Sequence, residues 1–374
     1  MARRGHGEGS IYQRKDGRWV ASITLENRKR KIFYGKTRKE VQEKLKVALH
    51  EQQQGTLATG AQQLLKSYLE KWLEQVYKPS VKPNSYKQCK FIVYKHLVPS
   101  LGQVTIQKLT AGKVQEFYSQ KLEEGLSPRS VILIHAVLHS ALENAVKWGL
   151  VPRNVTKLVS LPHVERYDAQ ILTTEQAVKL LEAARGSRIE ALILLALTTG
   201  MRRGELLALR WDDVDFEKGV AFVRRTMSWI NGYGYKESEP KTKAGRRKIV
   251  LANVALEALK EHRVLQNDIR SKAGEKWCEN GIIFCSVYGG FFNPAKVLEL
   301  FKQLLIDAGL PHMRFHDLRH SAATILLVAG VHPKVVQERL GHSTIAMTMD
   351  VYSHVLPSMQ QEAANKIDNM FKGI

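Results

Sequence analysis

Alternation of apolar and polar positions marks the start of the chain as sheet. Ser10-Ile11-Tyr12-Gln13 reads as a short strand, Asp16-Gly17 as a hairpin turn, and Trp19 to Leu25 alternates as a second strand. A basic turn from Asn27 to Lys31 leads into a third, Ile32-Phe33-Tyr34. Past Gly35 the period lengthens. Thr37 with Glu40 three residues on has the form of a capping box, and Val41, Leu45 and Ala48 give the following helix one apolar face. Gln52 to Gly60 is polar and reads as a linker.

From about 62 to 155 the period is helical throughout. Leu64, Leu65, Tyr68, Leu69, Trp72, Leu73 and Val76 form one stripe, and Pro83 opens a second helix that runs through Val93 to about Leu97. A third spans Thr110 to Glu124. The fourth has Ser127 as N-cap and Pro128 at its first position, with Ile134, Val137, Leu138, Ala141, Leu142 and Ala145 on one face and Gly149 at its end. Residues 156–171, with Pro162, read as a connection. A mixed pattern follows from Leu172. Thr173-Thr174-Glu175 opens a helix, and Ile189 to Thr198 is apolar enough for a buried one. Gly219 to Trp229 and Lys248 to Leu251 read as strands around a polar, glycine-rich hairpin. Helices are expected at 254–272, 294–308, 316–329, 333–339 and 359–371. The expected fold is multidomain: a small α+β unit of three strands and a helix at 1–55, an all-α four-helix unit at 62–155, and a mainly α unit with a small antiparallel sheet at 168–374.

Charge narrows the partners. The 374 residues carry 57 Lys+Arg against 36 Asp+Glu, a net +21, and residues 1–60 alone hold +8. Such a balance suits a polyanion. A membrane is the weaker choice, because no apolar run would span a bilayer and the N-terminus leads into no apolar signal region. Three cysteines, Cys89, Cys278 and Cys285, form no CxxC pair and no disulfide framework, which fits a reducing cytoplasm.

Five segments of the last 200 or so residues carry the chemistry. They are Thr199-Gly200-Met201-Arg202-Arg203-Gly204-Glu205, Pro240-Lys241-Thr242-Lys243, His316-Asp317-Leu318-Arg319-His320, Leu340-Gly341-His342, and Asp350-Val351-Tyr352-Ser353-His354. Each alone is weak, since a lone arginine is most often a solvated charge and a lone tyrosine a packing residue. In this order and spacing they resemble the active-site segments of the tyrosine recombinases of the phage-integrase family. The resemblance implies catalytic roles for Arg202, Lys241, His316, Arg319 and His342, with Tyr352 as nucleophile and Glu205 supporting the first arginine. It extends upstream, where 62–155 resembles the family's core-binding domain and 1–50 its arm-type DNA-binding domain. The match is loosest at Asn154-Val155, where relatives often place a proline after the asparagine. It implies double-stranded DNA attachment sites of core and arm type as partners, a homotetramer on DNA, and an accessory DNA-bending or excision factor as a further candidate.

Chemistry supports the same residues independently. In-line attack on a phosphodiester builds charge on its non-bridging oxygens, and the planar donor forks of Arg202 and Arg319 suit that charge. Glu205, one helical turn from Arg202, can orient it. Tyr352 supplies an oxygen nucleophile whose phosphate ester keeps the bond energy for rejoining. His316 is the candidate proton acceptor, Lys241 the candidate acid for the departing 5′ oxygen, and His342 a donor to the phosphate. Lys236 and Lys243 lie in the same hairpin as alternatives to Lys241. His312, His316 and His320 fall four apart, but no Cys or carboxylate completes a familiar ligand set, and neither metal nor cofactor is expected. A type IB topoisomerase or telomere resolvase would use the same chemistry, and a silent DNA-binding regulator the same fold.

Overall fold

Register explains the first element. In the computed structural model, which describes residues 9–24, 30–53, 62–165, 167, 169–230, 234–240, 243–352, 364–365 and 367–372, β1 (Ser10–Gln13), β2 (Trp19–Thr24) and β3 (Arg30–Gly35) pair antiparallel in that order. Tyr12, Val20 and Tyr34 stand in one cross-strand row. The alternate positions Ala21, Ile23 and Phe33 pack on Val41 and Leu45 of α1 (Arg38–Gln53). β3 begins at Arg30, earlier than its apolar residues indicate, because Arg30 and Lys31 still pair with Thr24 and Ile23. The Glu40 N–H donates to Thr37 Oγ1 at 3.2 Å, but the Glu40 carboxylate accepts from the Lys36 N–H at 2.9 Å, one residue short of a full capping box.

The helical stretch contains α2 (Leu65–Trp72), α3 (Pro83–Ile92), α4 (Ala111–Glu123) and α5 (Pro128–Lys147). α2 and α3 do not run on as regular helices. Each widens into a π turn, Leu73–Tyr77 and Val93–Leu97, before a short helical end at Lys78–Ser80 and Val98–Leu101. Pro79 and Pro99 supply the reason: a proline has no N–H to donate and its ring crowds the carbonyl four residues back. Thr110 and Ser127 cap α4 and α5, accepting from Lys113 and Ser130 N–H groups at 3.3 Å. The buried Tyr68 hydroxyl donates to the Ala141 carbonyl at 2.6 Å, tying α2 to α5. Asn154 is buried, donating to His139 O and Glu143 Oε1 while its own Oδ1 accepts from the Thr156 N–H.

Contacts divide the chain into two compact units, Met1–Arg166 and Tyr167–Ile374, with the sheet and these helices both in the first. In the second, α6 (Thr174–Ala184) opens on a Thr173–Gln176 capping box, and α7 (Glu190–Thr199) is buried along nearly its whole length. α8 (Arg203–Leu206) follows at once. β4 (Val214–Asp215) and β5 (Val220–Val223) precede a hairpin of β6 (Thr226–Ile230) and β7 (Gly234–Ser238), and β8 (Arg247–Val250) returns beside β5. The single strand expected from Gly219 to Trp229 is therefore two. It breaks at Arg224 and Arg225, whose guanidiniums reach the buried Asp213 at 3.3 and 3.2 Å. The rest is helical: α9 (Asn253–Ala273), α10 (Pro294–Asp307), α11 (Asp317–Val328), α12 (Pro333–Leu340) and α13 (Ala346–Tyr352). The helix expected at 359–371 lies partly outside the described residues; 364–365 and 367–371 are helical, with Ile367 and Met370 exposed. The molecule is mostly helical with small antiparallel sheets, and α7 sits at the centre of the second unit against α6, α9 and α11.

Candidate active site

Gly200 makes the central turn. It ends α7 at φ +63°, and a Cβ there would lie 2.2 Å from Leu340 Cδ2, so the turn presses against the end of α12 as only glycine allows. Arg202, two residues on, is extended. Its backbone N–H and its Nη1 both donate to Glu205, at 2.9 and 2.8 Å. Glu205 is 2 % exposed and also accepts from Arg247 Nη2 at 2.9 Å. Burial opposes its charge, but Arg247 and Arg202 together hold its carboxyl below the ordinary carboxylate value. The expected Arg202–Glu205 pairing is therefore present, and its second arginine went unassigned in the sequence.

Arg247 deserves that place on geometry. It is nearly buried, and besides Glu205 it donates through Nε to the Arg339 carbonyl at 2.6 Å and through Nη1 to the Gly245 carbonyl at 3.2 Å. Arg339 in turn donates to the Thr198 and Val250 carbonyls at 2.9 Å. The ends of α7 and α12 and both ends of β8 are thus locked together. The only sequence signal was an arginine pair at the start of a strand. Nothing local distinguishes Arg247 from its exposed neighbour.

α11 brings the next group. Arg319 is 4 % exposed and donates through Nη1 to the Gly200 carbonyl at 2.7 Å, while its Nη2 is buried without a hydrogen-bond partner among the described residues. Burial, with the Arg202 charge nearby, lowers its pKa to about 9. His316 is the N-cap residue of α11 and remains open to solvent. Partial desolvation of the ring and the neighbouring His320, Arg319 and Arg202 push its pKa below the ordinary histidine value, so the ring is neutral at neutral pH. His312 precedes the helix, and so does not share a helical face with His320. Gly341 turns the chain at φ +70° beyond α12 and delivers His342, which is 7 % exposed. Its Nδ1 lies 2.9 Å from the buried Thr348 hydroxyl, and burial plus the Arg319 and Arg202 charges lower its pKa to about 3.

Arg202, Glu205, Arg319, His316 and His342 thus gather around one glycine turn. Comparisons with known proteins give the family. Residues 170–359 match the phage integrase family, and residues 64–122 match the phage integrase N-terminal SAM-like domain. A tyrosine recombinase XerC-like protein of Caldanaerobacter subterraneus is 32 % identical over 360 residues, covering 91 % of this chain and 92 % of its own. The chain belongs to the phage integrase family. It is a site-specific tyrosine recombinase, a DNA strand-exchange enzyme of the kind that moves mobile elements. Among solved structures, the Tn1549 transposon integrase in complex with a circular intermediate DNA superposes with a TM-score of 0.67 at 22 % identity, covering 80 % of this chain and 99 % of that one. A lambda integrase tetramer bound to a Holliday junction gives 0.59 at 18 %, covering 93 % and 96 %. These likenesses concern the fold.

Two expected residues of this integrase are not brought into the geometry. Lys241 lies outside the described residues. Tyr352 ends α13 by its backbone, and its side chain lies outside the description. Lys236, the alternative in the hairpin, is exposed on β7, and Lys243 opens a short 3₁₀ turn. The β6–β7 hairpin leading toward Lys241 is itself held. Arg210 Nη2 donates to both oxygens of Glu237 at 2.9 and 3.0 Å, and a Cβ on Gly204 would lie 2.6 Å from the Met227 carbonyl oxygen. No group of three or more His, Cys, Asp or Glu that could hold a metal occurs among the described residues, and no described helix is long and apolar enough to cross a membrane.

Proposed function

We propose that this integrase cuts one DNA strand with the Tyr352 hydroxyl, forming a 3′-phosphotyrosine and freeing a 5′ hydroxyl, and then runs the step in reverse on a new partner strand. Arg202 and Arg319 hold the non-bridging oxygens of the scissile phosphate. His316, neutral at neutral pH, takes the phenol proton, and Lys241 gives one to the departing 5′ oxygen. With the Thr348 hydroxyl donating to Nδ1, His342 keeps a proton on Nε2 to donate to the phosphate. Glu205 orients Arg202. The bond energy stays in the ester, so no nucleotide is consumed.

The observation that carries this reading is the meeting of Arg202 and Arg319 at the Gly200 turn, with a buried Arg319 Nη2 left for a partner from outside. A buried donor without an acceptor is costly, and a phosphate oxygen would satisfy it. We assign 62–155 to core-site binding as a four-helix unit, and 1–55 to arm-type sites through its open sheet face, where Tyr12 and Tyr34 are exposed. The lambda integrase tetramer on a Holliday junction supports a homotetramer on DNA, and an accessory DNA-bending or excision factor is a further candidate partner. The test is a nicked duplex carrying the joined ends of the mobile element. The unsubstituted protein should trap as a covalent adduct. Tyr352→Phe should bind the same duplex normally and trap none, since only the hydroxyl is lost; a gel-stable adduct from that variant would overturn the nucleophile.

A further inference from the structure

Beside the Arg202 turn lies a cleft of about 790 Å³, lined by Arg202 and His316 and, on its apolar side, by the buried Phe301 and Met313. Its charged lining can be accounted for group by group. Arg202 is engaged by Glu205 at 2.8 Å, and Arg314 by Asp317 at 2.9 Å. The one acid among the described lining residues, Glu299, is engaged by Lys296 at 2.7 Å. Two cations remain, Arg203 at the start of α8 and Lys302 on α10, and neither has a partner among the described residues. Lys302 is exposed and can stay solvated. Arg203 cannot do so fully. It is half-buried, and burial holds its pKa below the ordinary arginine value. Gly204 presses the first turn of α8 against β6, where a Cβ would lie 2.6 Å from Thr226 Oγ1, so the turn has little room to swing Arg203 out. A desolvated guanidinium with no acid is unfavourable unless an anion from outside completes it.

We propose that this cleft is a second phosphate subsite, in which Arg203 and Lys302 grip a backbone phosphate of the same DNA strand that flanks the scissile one. The proposal rests on the functional reading above. A nucleic-acid phosphate fits better than a free one because Arg202, which would hold the scissile phosphate, and His316, which would take the phenol proton, line the same cleft. Its apolar backing suits the sugar between two phosphates. The subsite would fix the strand in register before the cut, which a single phosphate clamp leaves free to slide.

The experiment begins by mapping the cut through the covalent adduct of the unsubstituted protein. Duplexes then carry one neutral methylphosphonate at each phosphate near the cut in turn, and binding is measured for the unsubstituted protein, Arg203→Gln and Lys302→Gln. At one flanking position the methylphosphonate should weaken binding by the unsubstituted protein about tenfold, and Arg203→Gln should weaken binding to normal DNA by a similar factor. Combining the two should cost no more than either alone. Each variant should also flatten the dependence of log K on log salt by about one. Losses that simply multiply at every position overturn the subsite. So does inorganic phosphate raising the melting temperature without DNA, in an Arg203-dependent way, while the DNA losses still multiply. Melting curves check that Arg203→Gln folds, and Lys302→Gln, on an exposed helix face, keeps the test decisive if it does not. Absence of any adduct from the unsubstituted protein would instead reject the strand-cutting reading itself.

Discussion

At the scale of single residues, Glu205, Arg319 and His342 are held out of water while Arg202 and His316 reach it. His342 shows the consequence most directly. Its pKa falls from the ordinary 6.5 to about 3, because the buried ring sits among Arg319, Arg202 and Arg247. The folded protein therefore refuses a proton that the unfolded chain accepts between those values. The sign follows: His342 costs no stability above about pH 6.5, and stability is lost progressively as pH falls through that window. The unfolding free energy should accordingly drop between pH 7 and pH 4.5 in denaturant titrations. His342→Asn, which can keep a bond to Thr348, should flatten that drop by up to about 1.4 kcal/mol per pH unit. Equal slopes in the two proteins would show that the ring is not held neutral by the fold. The same neutrality at pH 7 is what the proposed role of His316 as proton acceptor requires.

At the scale of elements, Arg247 is the point where β8, α8 and the end of α12 meet. One side chain satisfies a buried carboxylate and two backbone carbonyls. Arg247→Met fills similar space but leaves Glu205 with Arg202 as its one cationic partner among the described residues. Removing one member of a buried ion pair typically costs about 3 kcal/mol. The variant should therefore melt lower, and its single-turnover cleavage should fall by roughly 100-fold, because Arg202 and His342 lose their common reference. Arg247→Lys should restore melting more than cleavage, since an ammonium cannot make the forked contacts. Arg247→Met that melts lower yet cleaves at the normal rate would confine the network to stability.

At the scale of the whole molecule, charge and cores are distributed separately. The first 60 residues hold +8 of the net +21, and β1–β3 with α1 have an apolar cluster of their own. A protein lacking residues 1–60 should keep covalent cleavage of the core duplex and lose binding to a second class of site. Its overall binding should also depend less steeply on salt, because fewer counterions are released. The comparison is made by footprinting both proteins across the full attachment DNA. Identical footprints would remove the arm-binding role from this segment.

Local chemistry was sufficient wherever a signal and its partner lie close in sequence. Thr110, Ser127 and Thr173 cap their helices through N–H groups three residues away, and the apolar run of α7 buries itself whatever packs around it. The Arg202–Glu205 pair is one helical turn long and was legible for the same reason. The order and spacing of the five segments pointed to the family and its strand-exchange activity, though not to the geometry of the site. Only tertiary structure decided the rest. Arg319 finds its carbonyl at Gly200, 119 positions away, because α7 and α11 pack together. Arg224 and Arg225 divide a strand because Asp213 is buried within their reach, and Arg247 outranks Arg246 because Glu205 and the Arg339 carbonyl lie across from it. Long-range partners leave no periodicity in the chain: a salt bridge between distant segments depends on where the packing puts them, and packing is a property of all the elements at once.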